Sequence, residues 1–140
     1  MGIRISYTFT INEVNICTLD SDFGIFIGKK PALLSISNVE KEIKNWRDFL
    51  REIIKMLCTI DKNIFKEIIQ MDNVPRGKKL FSTNENDVYE PLQIDKNFYV
   101  AYKYDFDTET TFKIAKILVE NFDSVCGTNF KEEIWFTLKK

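Results

Sequence analysis

Histidine is missing from the 140-residue chain. That absence removes Ser-His-Asp and Cys-His nucleophilic centres together with imidazole-ligated metals. Cysteine is scarce as well: Cys17, Cys58 and Cys126 are widely spaced, odd in number and form no CxxC pair, so no disulfide framework is indicated. A zinc site built from three thiolates and a carboxylate would need all three brought together. Buried structural thiols in a reducing compartment are the simpler reading, and neither a metal nor a cofactor is expected. With 5 glycines and 3 prolines, collagen-like, linker-like and low-complexity readings fall away. The phosphate-cradling patterns GxxxxGK[ST] and GxGxxG do not occur; Gly24-Ile25-Phe26-Ile27-Gly28 has only a GxxxG spacing in a strand-like context. No apolar run approaches the ~18 residues of a membrane span. The segment Met1 to Tyr7 alternates polar and apolar residues instead of forming the continuous apolar core of a signal peptide. Gly2 and Ser6 match a loose myristoylation pattern, but the alternation favours a strand. A cytoplasmic protein without a membrane segment is expected.

What is present is ordinary for a globular protein: 44% hydrophobic residues, 29% charged residues and 12 phenylalanines. The net charge of −1 gives the whole molecule little long-range attraction for nucleic acid or membrane. Charge is nonetheless uneven. Residues 39–80 carry ten basic and seven acidic side chains, and residues 81–140 carry seven basic and eleven acidic. A weakly basic middle and an acidic end can occupy opposite faces of one domain.

Periodicity supplies the elements. Ile3, Ile5, Tyr7 and Phe9 alternate with polar residues as in a half-buried strand. A weaker strand-like segment runs from Ile11 to Thr18. A short apolar run, Phe23–Gly28, precedes a turn at Lys29-Lys30-Pro31 and a strand-like return from Ala32 to Ser37. Ser37-Asn38 offers a helix cap, after which Val39, Ile43, Trp46, Leu50, Ile53, Ile54 and Leu57 recur at three- and four-residue spacing. The spacing predicts an amphipathic helix of about five turns from there. Asp61 or Asn63 starts a shorter helix through Ile69, completing an αα-hairpin. A basic turn, Arg76-Gly77-Lys78-Lys79, leads to a strand at Leu80–Thr83 and a polar loop at residues 84–87. Residues 89–94 look irregular around Pro91, Asp95-Lys96-Asn97 marks a turn, and an aromatic strand runs from Phe98 to Tyr104. Asp105 or Asp107 caps a helix over 108–122, whose buried face holds Phe112, Ala115, Leu118, Val119 and Phe122. Gly127 closes it, and Ile134–Leu138 is a final strand. The expectation is one α+β domain over 1–140, in the order β-β-α-α-β-β-α-β. A small antiparallel sheet packs against the αα-hairpin and the C-terminal helix; 1–38 is the β-rich part and 39–140 an α-α-β-β-α-β module.

Catalytic chemistry finds little support. Asp105, Asp107 and Glu109 could gather around Mg²⁺, although acidic residues at a helix start are favoured by the helix dipole alone. Cys58 reads as core. Cys126, at the C-terminal end of its helix, meets the wrong end of the dipole for a thiolate. Two features suit binding. Lys41, Lys44, Arg47, Arg51 and Lys55 share one expected helix face, and Arg76, Lys78 and Lys79 lie in the turn after the αα-hairpin; clustered cations of this kind meet phosphates. Tyr99 and Tyr102, on the aromatic strand with Phe98 and Tyr104, could stack on bases or anchor a protein partner.

The run Asn45-Trp46-Arg47-Asp48-Phe49-Leu50 on a helix, the short second helix, the strand ending near Phe81-Ser82, Asn97-Phe98-Tyr99-Val100, the Thr-rich helix start and the closing strand resemble a small α+β module. That module is found near restriction-modification enzymes and in phage-linked proteins. The resemblance covers about two thirds of the chain, Lys41 to Lys140, and rests on apolar patterns, not catalytic signatures. It implies recognition of DNA or of a protein partner beside a separate nuclease or methylase. A short Lys-, Asn- and Ile-rich chain is also similar in composition to phage accessory proteins that block host defences. The functional expectation is therefore a non-enzymatic protein acting by protein–protein contact on a partner or nucleoprotein complex in a bacterial or phage defence setting. A DNA- or RNA-binding accessory module is the alternative.

Overall fold

The chain reverses at Ser37-Asn38 because both residues take left-handed φ angles, 49° and 69°. Two consecutive positive φ values close a two-residue hairpin loop whose twist matches that of the flanking strands. A computed structural model describes residues 16–74, 80–84, 86, 92–100 and 107–139. The expected strand over 3–9, the first part of the segment over 11–18, the basic turn at 76–79 and the end of the aromatic strand lie outside these residues. The described elements run β1 (Ile16–Cys17), β2 (Pro31–Ile36), β3 (Val39–Glu42), α1 (Trp46–Ile68), β4 (Phe81–Ser82), β5 (Leu92–Asp95), β6 (Phe98–Val100), α2 (Thr108–Cys126) and β7 (Ile134–Leu138). The fold is α+β with two antiparallel sheets.

The reversal at Ser37-Asn38 corrects one boundary. These residues do not cap a helix, and residues 39–42 form a strand, so the segment from 39 begins with β and not with α. The helix starts eight residues later, where the Asn45 side chain accepts the Asp48 amide at 2.9 Å. Ile43 is buried as its spacing suggested, but Val39 is 71% exposed. The short apolar run at 23–28, whose context looked strand-like, forms a 3-10 turn at Phe23–Phe26, capped by Asp22.

Other local signals act as written. Asp61 is extended, at φ −160° and ψ 100°, inside α1. Its carboxylate accepts the amides of Asn63 and Ile64, both at 3.1 Å, and so starts a second helical stretch. Asp107 caps α2 by accepting the Thr110 amide at 2.7 Å. Gly127 terminates α2 at φ 69°, a conformation that a Cβ would strain, and donates to the Asp123 carbonyl at 2.8 Å.

The first sheet has the strand order β1-β7-β2-β3, so the C-terminal strand sits in its middle. β7 pairs antiparallel with β2, Ile36 against Ile134, and with β1, Cys17 against Phe136. The second sheet, β4-β6-β5, is a hairpin turned at Asn97, φ 58°, with β4 added. Helices α1 and α2 pack on each other. Between them and the first sheet lies an aromatic core of Phe26, Trp46, Phe49, Phe112 and Phe136, with ring centroids 4.9–6.4 Å apart. Rings at these separations add about 0.5–1.5 kcal/mol per pair beyond the area they bury. The Trp46 indole N–H donates to the Lys29 carbonyl at 3.0 Å, which ties the loop before β2 to the start of α1.

The second sheet is held differently. Phe81 and Phe98 stack at 5.6 Å with ring planes 6° apart, and the Lys66 ammonium lies 5.7 Å from the Phe98 ring. Asp95 receives Lys66 at 3.0 Å and Lys62 at 3.3 Å. The second half of α1 is thus the platform on which this sheet sits.

Candidate functional site

The β2–β3 hairpin and α1 diverge from a shared base. Leu34 and Ile36 of β2 face the same side as Val39 and Lys41 of β3, since the register pairs Leu34 with Lys41 and Ile36 with Val39. On α1, Glu52, Lys55, Met56, Thr59 and Ile60 form a stripe at three- and four-residue spacing. Between these walls, with Phe130 and Ser37 completing the lining, is an open groove of about 580 Å³. Val39 and Ile60, 71% and 45% exposed, form its apolar lips.

Among the described residues, both hydroxyls in the lining are already committed. Ser37 donates to Glu133 at 2.6 Å, and Thr59 donates back to the Lys55 carbonyl at 2.8 Å. The charges are confined to one end. Glu52, only 12% exposed, accepts Lys41 at 2.9 Å, and Arg51 and Lys55 each come within 3.9 Å of its other oxygen.

This geometry redistributes the expected basic face. Arg47, Arg51 and Lys55 do share one row of α1 at four-residue spacing. Lys41 instead reaches that row from β3, and Lys44 lies in the connection before α1, its amide donating to Asp48 at 3.1 Å. Three of the five cations therefore surround one carboxylate and do not project as a uniform positive face. Tyr99 is half-buried on β6, opposite Ser82 on one side and Gln93 on the other, with Phe98 and Val100 pointing into the core. Arg76, Lys78, Lys79 and Tyr102 lie outside the described residues.

No family model, curated protein or solved structure matches the chain.

The remaining chemistry is weak in nucleophiles. Burial pushes the Cys58 thiol up to about 12, and it raises Cys17 as well. Cys126 is raised by desolvation, with the carboxylates of Asp61, Asp123 and Glu67 adding to the effect. None of the three is in a disulfide; all are protonated at neutral pH, and a protonated thiol is a poor nucleophile. Among the described residues no three Cys, Asp or Glu side chains gather to hold a metal ion. Asp107, one of the three acids considered for Mg²⁺, is occupied with capping α2. Among the described residues, no helix is long and apolar enough to cross a membrane.

The groove was missed in the sequence. Its floor comes from strand residues that look like plain core and from Met56, and one of its lips from Ile60, both at the margin of an amphipathic helix. The available signal was the placement of Ser37-Asn38 between Leu33-Leu34-Ser35-Ile36 and Val39-Glu40-Lys41-Glu42, where asparagine tolerates the left-handed conformation that a tight hairpin loop demands.

Proposed function

We propose that the protein is a non-enzymatic binding protein that acts by protein–protein contact, on a partner or a nucleoprotein complex, in a bacterial or phage defence or counter-defence setting. The observation that carries the binding reading is the groove between the β2–β3 hairpin and α1, with an apolar floor and charge restricted to one end. A small number of apolar anchors surrounded by polar groups is the usual energetic layout of a protein contact site. Burial raises the Cys58 and Cys17 thiols, which weakens them as nucleophiles. The defence setting rests on the resemblance of Lys41–Lys140 to the module associated with restriction-modification and phage-linked proteins.

Direct nucleic-acid binding is the less favoured reading, because Glu52 sits among the cations that phosphates would need. Capture from bacterial lysate with tagged protein, with and without nuclease, separates the two. A stoichiometric protein partner that survives nuclease supports the proposal. Recovery of nucleic acid, with every partner lost after nuclease, refutes it.

A further inference from the structure

The chemistry of the groove narrows the kind of partner; the argument rests on the binding reading above. The stripe from Glu52 to Ile60 rises about 12 Å along α1, close to two helical turns. Its two lining hydroxyls already donate elsewhere, Ser37 to Glu133 and Thr59 to the Lys55 carbonyl, so neither donor is left for a polar metabolite. What remains is an apolar floor with lips at Val39 and Ile60, which buries hydrocarbon best.

Charge then sets the sign and direction of the occupant. Of the described charged residues lining the groove two are lysines and one is a glutamate, and that glutamate already accepts Lys41 at 2.9 Å. Lys41 and Lys55 remain 57% and 43% exposed and lie on opposite walls of the same end. Ammonium groups so placed keep donors for further carboxylates. The exposed charge of the groove is therefore cationic and gathered at the Lys41–Lys55 end.

We propose that this groove receives a short acidic amphipathic segment of a partner protein, with apolar side chains on the floor and carboxylates at the Lys41–Lys55 end. A helix laid in a groove in this way is read through anchors at three- and four-residue spacing. The charged end fixes orientation and partner choice more than it adds affinity.

The test uses the full chain and three fluorescein-labelled peptides. One has leucines at helical spacing with glutamates between them, one is its scramble, and one carries lysines in place of the glutamates. The acidic amphipathic peptide is expected to bind at least tenfold more tightly than either of the others. Val39→Glu and Ile60→Glu, at exposed positions where folding is undisturbed by circular dichroism, are each expected to weaken that binding about tenfold. The pair Lys41→Glu and Lys55→Glu is expected to shift preference toward the lysine peptide. Equal binding of acidic and lysine peptides, no binding of any peptide, or indifference to the lip substitutions overturns the assignment. Capture from lysate separates this failure from failure of the binding reading. A nuclease-resistant partner held equally by the wild type and by Val39→Glu leaves that reading intact and moves the contact elsewhere. The absence of any protein partner removes the reading itself.

Discussion

The hairpin that forms one wall of the groove depends on two backbone angles, and it can be challenged without touching the core. Ser37 and Asn38 sit at φ 49° and 69°. An ordinary L residue loses roughly 1–2 kcal/mol in that conformation, asparagine less and glycine almost none. The pair best suited to the loop is Asn-Gly. Ser37→Asn combined with Asn38→Gly relieves both positions. Against this stand the greater freedom of glycine in the unfolded chain, about 0.5–1 kcal/mol, and the exposed hydrogen bond from Ser37 to Glu133. The expected net gain is about 0.5–1 kcal/mol. Asn38→Val places a β-branched side chain at positive φ and is expected to lose about 1–2 kcal/mol. Had Ser37 or Asn38 capped a helix, the same double substitution would lose a few tenths of a kcal/mol, because asparagine is already a strong cap and glycine a slightly weaker one. The sign therefore separates the two conformations. Urea denaturation followed by the fluorescence of Trp46 and Trp135 measures it, with an unchanged m-value showing that only stability has moved. A double variant that unfolds at the same or lower urea concentration than the wild type refutes the hairpin.

Asp61→Ala is expected to destabilise by about 1 kcal/mol, since the carboxylate that accepts the Asn63 and Ile64 amides is lost, and Asp61→Asn to recover most of it; thermal denaturation of the three proteins decides. Phe136→Ala, which empties a position whose ring lies 4.9 Å from Phe49 and 5.4 Å from Phe26, is expected to lose about 3–5 kcal/mol. A loss below about 1 kcal/mol in the same urea assay would show that the aromatic core does not hold the first sheet. The Asp95 carboxyl is lowered to about 2, chiefly by its hydrogen bond from Lys66, with the Lys96 amide and Lys62 adding. Because the folded value lies below the unfolded one, near 3.9, its contribution is present above pH 4 and fades as the pH falls toward 2. Asp95→Asn should flatten stability against pH in that window, and parallel curves for the variant and the wild type would refute the assignment.

Much of this fold could be read from local signals that tertiary structure had no reason to override. Asp61, Asp107 and Gly127 act where their chemistry placed them. The buried side of α2 is the one its spacing named, and β7 spans the residues that alternation marked. The error at 37–45 has a physical cause. Val39, Ile43 and Trp46 follow a helical period, but Val39 and Lys41 also alternate with Glu40 and Glu42 as strand residues do. Over so short a stretch the two periods overlap. Pairing with β2, itself locked between β3 and the C-terminal strand, decides for β. The C-terminal strand that holds β2 in the sheet lies about a hundred residues away in the sequence, beyond any local window.

The site was less legible than the fold for a related reason. Read along the chain, Lys41, Lys44, Arg47, Arg51 and Lys55 look like a basic helix face diluted by a few acids. In space the dilution has an address: Glu52 lies where Lys41 arrives from the hairpin and where Arg51 and Lys55 flank it along α1. A largely buried carboxylate with three cations around it consumes part of the charge that a phosphate backbone would require. It also pins the hairpin wall to the helix wall at one end, leaving the apolar mouth between Val39 and Ile60 open at the other. Discrimination among partners should then reside in the shape and hydrocarbon content of the floor, with the lysines deciding which way round a segment lies. Counting cations kept nucleic acid as the alternative reading, whereas the proposed peptide groove rests on how the same residues are arranged around Glu52.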